Sequence, residues 1–450
     1  MRRIVRFLLV AFAFAASGAQ AATATVTSNA DPGAGTLREA IANAGSGDTI
    51  DFAGDMTITV ASTLAIAQNL TIDATGHAVV VDGGAAVGVF AIDSGATVQI
   101  AHLVVQRGSA ADGGAINNAG TLTLTGSTVS SGATRGGGIY NTGTLTLTGS
   151  TVSGSVGRDG GGIYNTGTLT LTGSNVFLNS ADRGGGIYNT GALTLTDSTM
   201  DQNSAPGSTP GNGGGIYNSG TVTLTGNTLS QNTATQGGGI FNDTGATVTL
   251  TGNTLSANHA SSGGGIFNNG DTAALINNSL STNHAANGGG IMNYGGGTVM
   301  LTNNTLSGNV GTNLGSDIYT FNGNSILTNT IVADGCAVAV GTIVDNGGNL
   351  DSSASCGFSA ATSQSNAVLN LGALADNGGP TQTMLPGSGS AAINAVSCAN
   401  APLIDQRGYL RPDPASMSSA TPCDVGAVEA GSQMSDRIFA NGFGPPPVYK

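Results

Sequence analysis

Three groups of residues in this 450-residue chain have types and spacings that could do chemistry. The first is Asp112, Arg135, Asp159 and Arg183, continued at the same step by Asn212, Gln236, Ser262 and Asn287. Taken singly, either arginine could serve as the base of a polysaccharide lyase. Taken in order, the signs alternate, and stacked layers would set each Arg between carboxylates one layer away. That is a cross-layer ion-pair ladder, weak per pair at a surface, and it is the preferred reading. The second group is His259 and His284, each seven residues before a recurring Ile. Two stacked imidazoles could hold a metal, but no third ligand is evident, so they read as turn histidines. The third is the column Tyr140, Tyr164, Tyr188, Tyr217, Phe241 and Phe267, ending in Met292. A flat strip of rings can bind sugars or another protein, or simply brace a sheet. The insertion at 205–212 would overhang one layer and wall such a groove. No catalytic, cofactor-binding or metal-binding residue is assigned.

These columns exist because of one phrase. GGGIYN starts at Gly136 and returns at Gly160, Gly184 and Gly213, then as GGGIFN at Gly237 and Gly263 and GGGIMN at Gly288, with a weaker GGAINN at Gly113. The isoleucines (Ile116, Ile139, Ile163, Ile187, Ile216, Ile240, Ile266, Ile291) are spaced by 23, 24, 24, 29, 24, 26 and 25 residues. Such a period marks a stacked solenoid. Within a coil, Ile139 is followed by Leu145 and Leu147 in TLTLT and by Val152. Strict alternation with Thr gives strands with one buried face, too short and too rich in Thr, Gly and Asn for helices. Three short strands per coil predict an all-β fold. It is a single-stranded right-handed parallel β-helix of about 24 residues and about 4.8 Å per coil. With the inward isoleucines fixed, alternation turns the rings outward. An Asn recurs three residues past an apolar one (Asn179, Asn203, Asn232, Asn258, Asn283, Asn309), and a second series follows the rings (Asn141, Asn165, Asn189, Asn218, Asn242, Asn268, Asn293). Both are expected to form hydrogen-bonded ladders. The pairing of GG[AG]I with apolar-x-x-Asn over residues 112–309 resembles the repeats of polymorphic outer-membrane proteins and related bacterial β-helix surface proteins.

The ends differ from the middle. Arg2, Arg3 and Arg6 precede an apolar run, and Ala19-Gln20-Ala21 fits a signal-peptide site cleaved between Ala21 and Ala22. The apolar run is shorter than the roughly 20 residues that span a bilayer. Residues 22–111 are read as an N-terminal cap with irregular first coils. Leu37, Ala40, Ile41 and Ala44 fall on one face of a short capping helix. GTLREAIANA resembles the start of secreted proteins whose motif reads CSLREAI, with Gly35-Thr36 in place of Cys-Ser, so no thiol role carries over. Regular repeats are placed at 112–333. A cysteine-bearing segment follows at 334–430, and a tail at 431–450. Cys336, Cys356, Cys398 and Cys423 make an even count, expected to be disulfides in an exported chain. Three pairings are open, of which Cys336–Cys356 with Cys398–Cys423 closes the shortest loops. The phrases ADNGGPTQT, LPGSGSAAINA, DQRGYLRP and CDVGAVE resemble the choice-of-anchor segment of secreted β-helix proteins. That likeness implies an end to the β-helix followed by a sorting or anchoring tail.

Without the three leader arginines, nine basic residues face 25 acidic ones, which argues against nucleic acid as a partner. Lyases of this fold need clustered carboxylates for Ca²⁺ with a Lys or Arg base, and hydrolases need close Asp pairs. Acids in the repeats are scattered about one per coil, and Lys occurs only at position 450. The expectation is an exported, monomeric, non-catalytic protein, secreted or on a bacterial outer membrane, that binds a surface glycan or protein in the manner of an adhesin. The alternative is a carbohydrate-active β-helix enzyme, a polysaccharide lyase or glycoside hydrolase.

Overall fold

In the computed structural model, residues 21–207, 211–412 and 422–431 are described. The leader before Ala21 and all but the first residue of the tail therefore lie outside the described residues. The coil that opens at Gly160 shows how the repeat folds. Ile163–Asn165, Thr168–Thr172 and Asn175–Phe177 form three strands. Each pairs in parallel with its counterpart in the next coil, Ile163 with Ile187, Leu169 with Leu193 and Val176 with Met200. Repetition builds three parallel sheets of 12, 14 and 13 strands, here called the Ile, Thr and Val sheets. Ile163, Leu169, Leu171 and Val176 all point inward and are wholly buried. The fold is thus the expected parallel β-solenoid of about 12 turns.

Corners decide whether such a stack can exist, because each one buries backbone polar groups away from water. At the corner after the Ile sheet, the Nδ2 of every Asn from Asn118 to Asn268 donates to the Oδ1 one coil on, at 2.7–3.0 Å. At the corner after the Val sheet, Asn179 through Asn309 do the same at 2.9–3.0 Å. Those two ladders match the sequence reading. A third, between the Thr and Val sheets, was not foreseen. It begins with serines, where the Ser127 amide donates to Ser150 Oγ, and continues as asparagines from Asn227 to Asn304. The residue before each ladder position is often left-handed (Leu178, Gln202, Gln231), which swings the next side chain into the corner. The triple glycine has a different cause. Gly160 has φ +67°, and a Cβ on Gly161 would lie 2.3 Å from the carbonyl oxygen of Gly185, so no side chain fits.

Both ends are closed. Thr36 caps helix α1 (Leu37–Asn43) by accepting the Glu39 amide, while Glu39 Oε2 accepts the Gly35 amide at 2.6 Å. Leu37 and Ile41 cover the first coil, and Arg38 ties the helix down through Asp31 and the carbonyls of Ser62 and Thr63. At the other end the sheets continue to Leu350–Asp351, one coil past the visible repeats. Cys336 takes the inward Ile place there and bonds Cys356 over the end of the core. Cys398 bonds Cys423, so both sequential pairs form.

Beyond this point the chain turns back along the outside of the solenoid, over the third ladder's corner. Asn303 donates to the carbonyls of Asp424 and Gly426. One coil earlier, Arg411 donates to Asn277 Oδ1 and Ser279 to Gln406. Farther back, Gln406 reaches the Asn253 carbonyl and Thr381 the Gly252 carbonyl. The docked segment is held by buried ion pairs, Arg407 with Asp405 at 2.7 Å and Arg411 with Glu429 at 2.9 Å. Burial pushes the Glu429 carboxyl up to about 7.

The corners generate two stability predictions. Asn232 accepts from Asn203 and donates to both Asn258 Oδ1 and the Met200 carbonyl. Asn232→Ala leaves these buried groups unpaired and should cost about 2–4 kcal/mol, read as a lower denaturation midpoint. Ile163→Asp, an unpaired charge in the core, should cost at least as much.

Asp317 supplies a pH test. It stands where other coils have the third glycine, is fully buried, and ends the second ladder by accepting from Asn309 Nδ2 at 2.8 Å. Burial, reinforced by the Asp334 carboxylate, pushes it up to about 8. Between its ordinary value of 3.8 and about 8, the folded chain keeps a proton that the unfolded chain releases. Stability from this group is therefore full at acid pH and falls as pH rises through that window. Asp317→Asn should flatten the fall in unfolding free energy between pH 5 and pH 8. An unchanged slope would remove Asp317 as its source.

Candidate functional site

The rings stand outside the Ile sheet, as alternation requires, and stack face to face. Centroid separations run 5.3, 4.9, 4.5, 5.3 and 5.3 Å from Tyr140 through Phe267. Expecting a broad exposed strip over Tyr140, Tyr164, Tyr188, Tyr217, Phe241 and Phe267 needs correction. Stacking covers both faces of each inner ring, and longer turns in the later coils close over the edges. Tyr188 is 7% exposed and Phe267 2%. Tyr217 donates a short hydrogen bond to Asp243 in one such turn, and Phe267 meets Tyr294 in another. Tyr319, Tyr294 and Phe321 extend the aromatic cluster and were missed, because Ile318-Tyr319 lacks the triple glycine before it. Only Tyr140 and Tyr164 remain half-buried. The accessible part of the column is its first two rings.

The charge column runs beside those rings. Arg135 makes two bonds to Asp112, at 2.7 and 2.8 Å, and Arg183 bonds Asp159 at 2.8 Å. Each arginine turns to the carboxylate of the preceding coil instead of sitting between two. Each guanidinium also lies over rings, Arg135 at 5.0 Å from Tyr140 and 6.0 Å from Tyr164, and Arg183 at 4.9 Å from Tyr188. Bonding to Asp112 raises Arg135 above its ordinary value. At Arg183 burial opposes the charge, but the bond to Asp159 and the neighbouring tyrosines outweigh it, so this group too is raised. Burial likewise raises the phenols of Tyr164 and Tyr188. Arg158 is different. Its side chain is 67% exposed, with Asp159 3.9 Å away.

His259 and His284 stack at 4.9 Å with rings 5° from parallel. Their backbone column continues as Thr233 on one side and Val310 on the other, so no ligand-bearing residue extends it. Among the described residues no three His, Cys, Asp or Glu side chains converge as a metal site. Residues 208–210 of the insertion lie outside the described residues. The site that the geometry assembles is therefore compact. Two stacked tyrosines carry a guanidinium across their edge, with Asp112 fixing the guanidinium.

This arrangement belongs to a right-handed parallel β-helix, and the family described as "Right handed beta helix region" matches residues 58–234. No curated protein matches the chain. Among solved structures, pectate lyase Pel9A is 14% identical with a TM-score of 0.37, over 91% of this chain and 96% of that one. Jun a 1, the major allergen from cedar pollen, is 14% identical with a TM-score of 0.15, over 73% of this chain and 78% of that one. Neither likeness carries a substrate or an activity to this chain.

The Arg135 guanidinium yields a prediction of its own. Arg135→Leu should leave the solenoid folded, with its unfolding free energy changed by no more than about 1 kcal/mol, since exposed ion pairs and cation–π contacts contribute little each. A larger loss in thermal denaturation would show that the strip depends on this cap.

Proposed function

We propose that this chain is an exported, non-catalytic binding protein, adhesin-like, that recognises a surface glycan through Tyr140, Tyr164 and Arg135. One observation carries the reading: the two half-buried rings are the open end of a stack whose remaining members are sealed, with a fixed guanidinium beside them. Sugar rings pack their C–H faces on aromatic rings, and an ion-paired guanidinium still has N–H groups to donate to hydroxyls. Two disulfides fit an oxidising compartment. No helix among the described residues is long and apolar enough to cross a membrane. The docked segment follows the last strands of the solenoid and lies along its outside, and the tail beyond it is proposed as the sorting or anchoring element.

A second reading, a polysaccharide lyase, has one observation in its favour. Arg158 is a well-exposed arginine lying between the paired Arg135 and Arg183 in sequence.

A glycan panel, with and without Ca²⁺, tests both readings. Binding without release of unsaturated sugars is expected. Tyr140→Ser/Tyr164→Ser should abolish that binding while circular dichroism stays native. Undiminished binding would reduce the strip to scaffolding. Unsaturated product that disappears in Arg158→Ala would establish the lyase instead.

A further inference from the structure

The outward face of the Thr sheet is used by neither reading. Over six consecutive coils its strands pair without a register shift, from Thr121–Thr125 to Thr247–Thr251. Thr123, Thr146, Thr170, Thr194, Thr223 and Thr249 form the central column. Columns two residues before and two after are also threonine, broken only by Ala192. Every one of these side chains is exposed or half-buried. None of their hydroxyls makes a hydrogen bond within the protein, unlike Thr142, Thr166 and Thr190 at the neighbouring corner.

We infer that this face binds ice. Parallel strands in register set the hydroxyls about 4.8 Å apart between coils and about 6.7 Å apart along a strand. Those repeats lie near the oxygen spacings on the prism face of hexagonal ice, and the columns hold them over six coils. Each threonine presents one unengaged hydroxyl and one methyl. The hydroxyls fix water at lattice positions, and the methyls between them leave water no competing site. Charge supports the same occupant. The chain carries a formal net charge of −13, yet no Asp, Glu, Lys, Arg or His occupies any position of the array. Within the columns an uncharged lattice meets no ion to desolvate, and the exposed charge of Asp197 stands at the border beside Gly226. The array has definite limits. It ends where Ala274 and then Met300 interrupt the central column. On one side the docked segment borders it, Pro380 and Ile404 sharing a small cavity with Thr225 and Thr251. This inference is independent of the glycan strip, which lies on a different sheet.

The test is ice-crystal habit and thermal hysteresis of the full-length exported chain in dilute buffer. The wild type should facet growing crystals and hold them below the melting point. Thr194→Tyr/Thr249→Tyr should reduce hysteresis to the buffer baseline with circular dichroism unchanged, since Tyr suits a strand but breaks the flat array. Ser153→Tyr, on the outer face of the Val sheet, should keep it. Round, freely growing crystals with the wild type would overturn the inference. So would hysteresis surviving in the threonine variant or lost equally in the Ser153 control. Sedimentation with microcrystalline cellulose, in the absence of any effect on ice, would assign the array to a polymer lattice and overturn it as well.

Discussion

Everything in this molecule hangs on buried amides that hydrogen-bond from coil to coil. A parallel solenoid gains its apolar core cheaply, because one Ile, two Leu and a Val per coil suffice. Its difficulty lies at the bends, where backbone donors and acceptors turn away from the sheets and are cut off from water. Asn meets that need because one side chain both donates and accepts, so each ladder member satisfies its own corner and its neighbour's. The ladders also fix register. A coil that slipped by one residue would pull three corner side chains out of line at once. The one large insertion sits where this constraint is weakest. It falls between Asn203 and the glycine turn at Gly213, so both ladder spacings survive a 29-residue step.

Much of this was legible in the sequence, for physical reasons that differ by element. The GGGI phrase fixed the coil because its middle glycine abuts the next coil's carbonyl and tolerates no Cβ. The LREA phrase announced a cap because its residues act locally, with Leu37 packing on the first coil, Arg38 tying the helix down and Glu39 accepting the Gly35 amide just before the cap. The third ladder stayed hidden because it changes residue type midway, from Ser198 to Asn227. A second change, in the residue before the ladder, was a signal. The left-handed residue before the ladder is Gly in most coils up to Gly252, then Asn277, Asn303 and Asn329, and these asparagines bond the returning segment. The docking of that segment joins residues from 71 to more than a hundred positions apart, which no repeat pattern encodes.

The aromatic column shows where pattern reading stops. Alternation correctly placed the rings outside the Ile core, but exposure depends on what lies above them. The turns NTG in early coils and NDTGA or NYGGG in later ones differ by only two residues, yet the longer ones shield the later rings. Asp243 and Tyr294 in those longer turns meet Tyr217 and Phe267, whereas Tyr188 is buried with only short turns beside it. The charge column misled in a smaller way. Alternating signs suggested arginines shared between carboxylates. The Arg135 guanidinium makes a two-point bond to the one carboxylate of the preceding coil and lies along the edge of the adjacent ring stack.

Catalysis by acid and base needs neighbouring groups whose environments push their proton affinities apart, in a place that substrate can reach. Strongly shifted carboxyls do occur here, but their locations are closed. Asp317 is fully buried at the end of a ladder, and Glu429 is sealed under the docked segment against Arg411. The open faces have the opposite character. The threonine columns repeat one side chain at one-coil spacing, while the ring and charge columns repeat related side chains whose burial changes from coil to coil. Of the ring column and the threonine array, only the array keeps its periodicity at the surface, because the ring column is sealed beyond Tyr164.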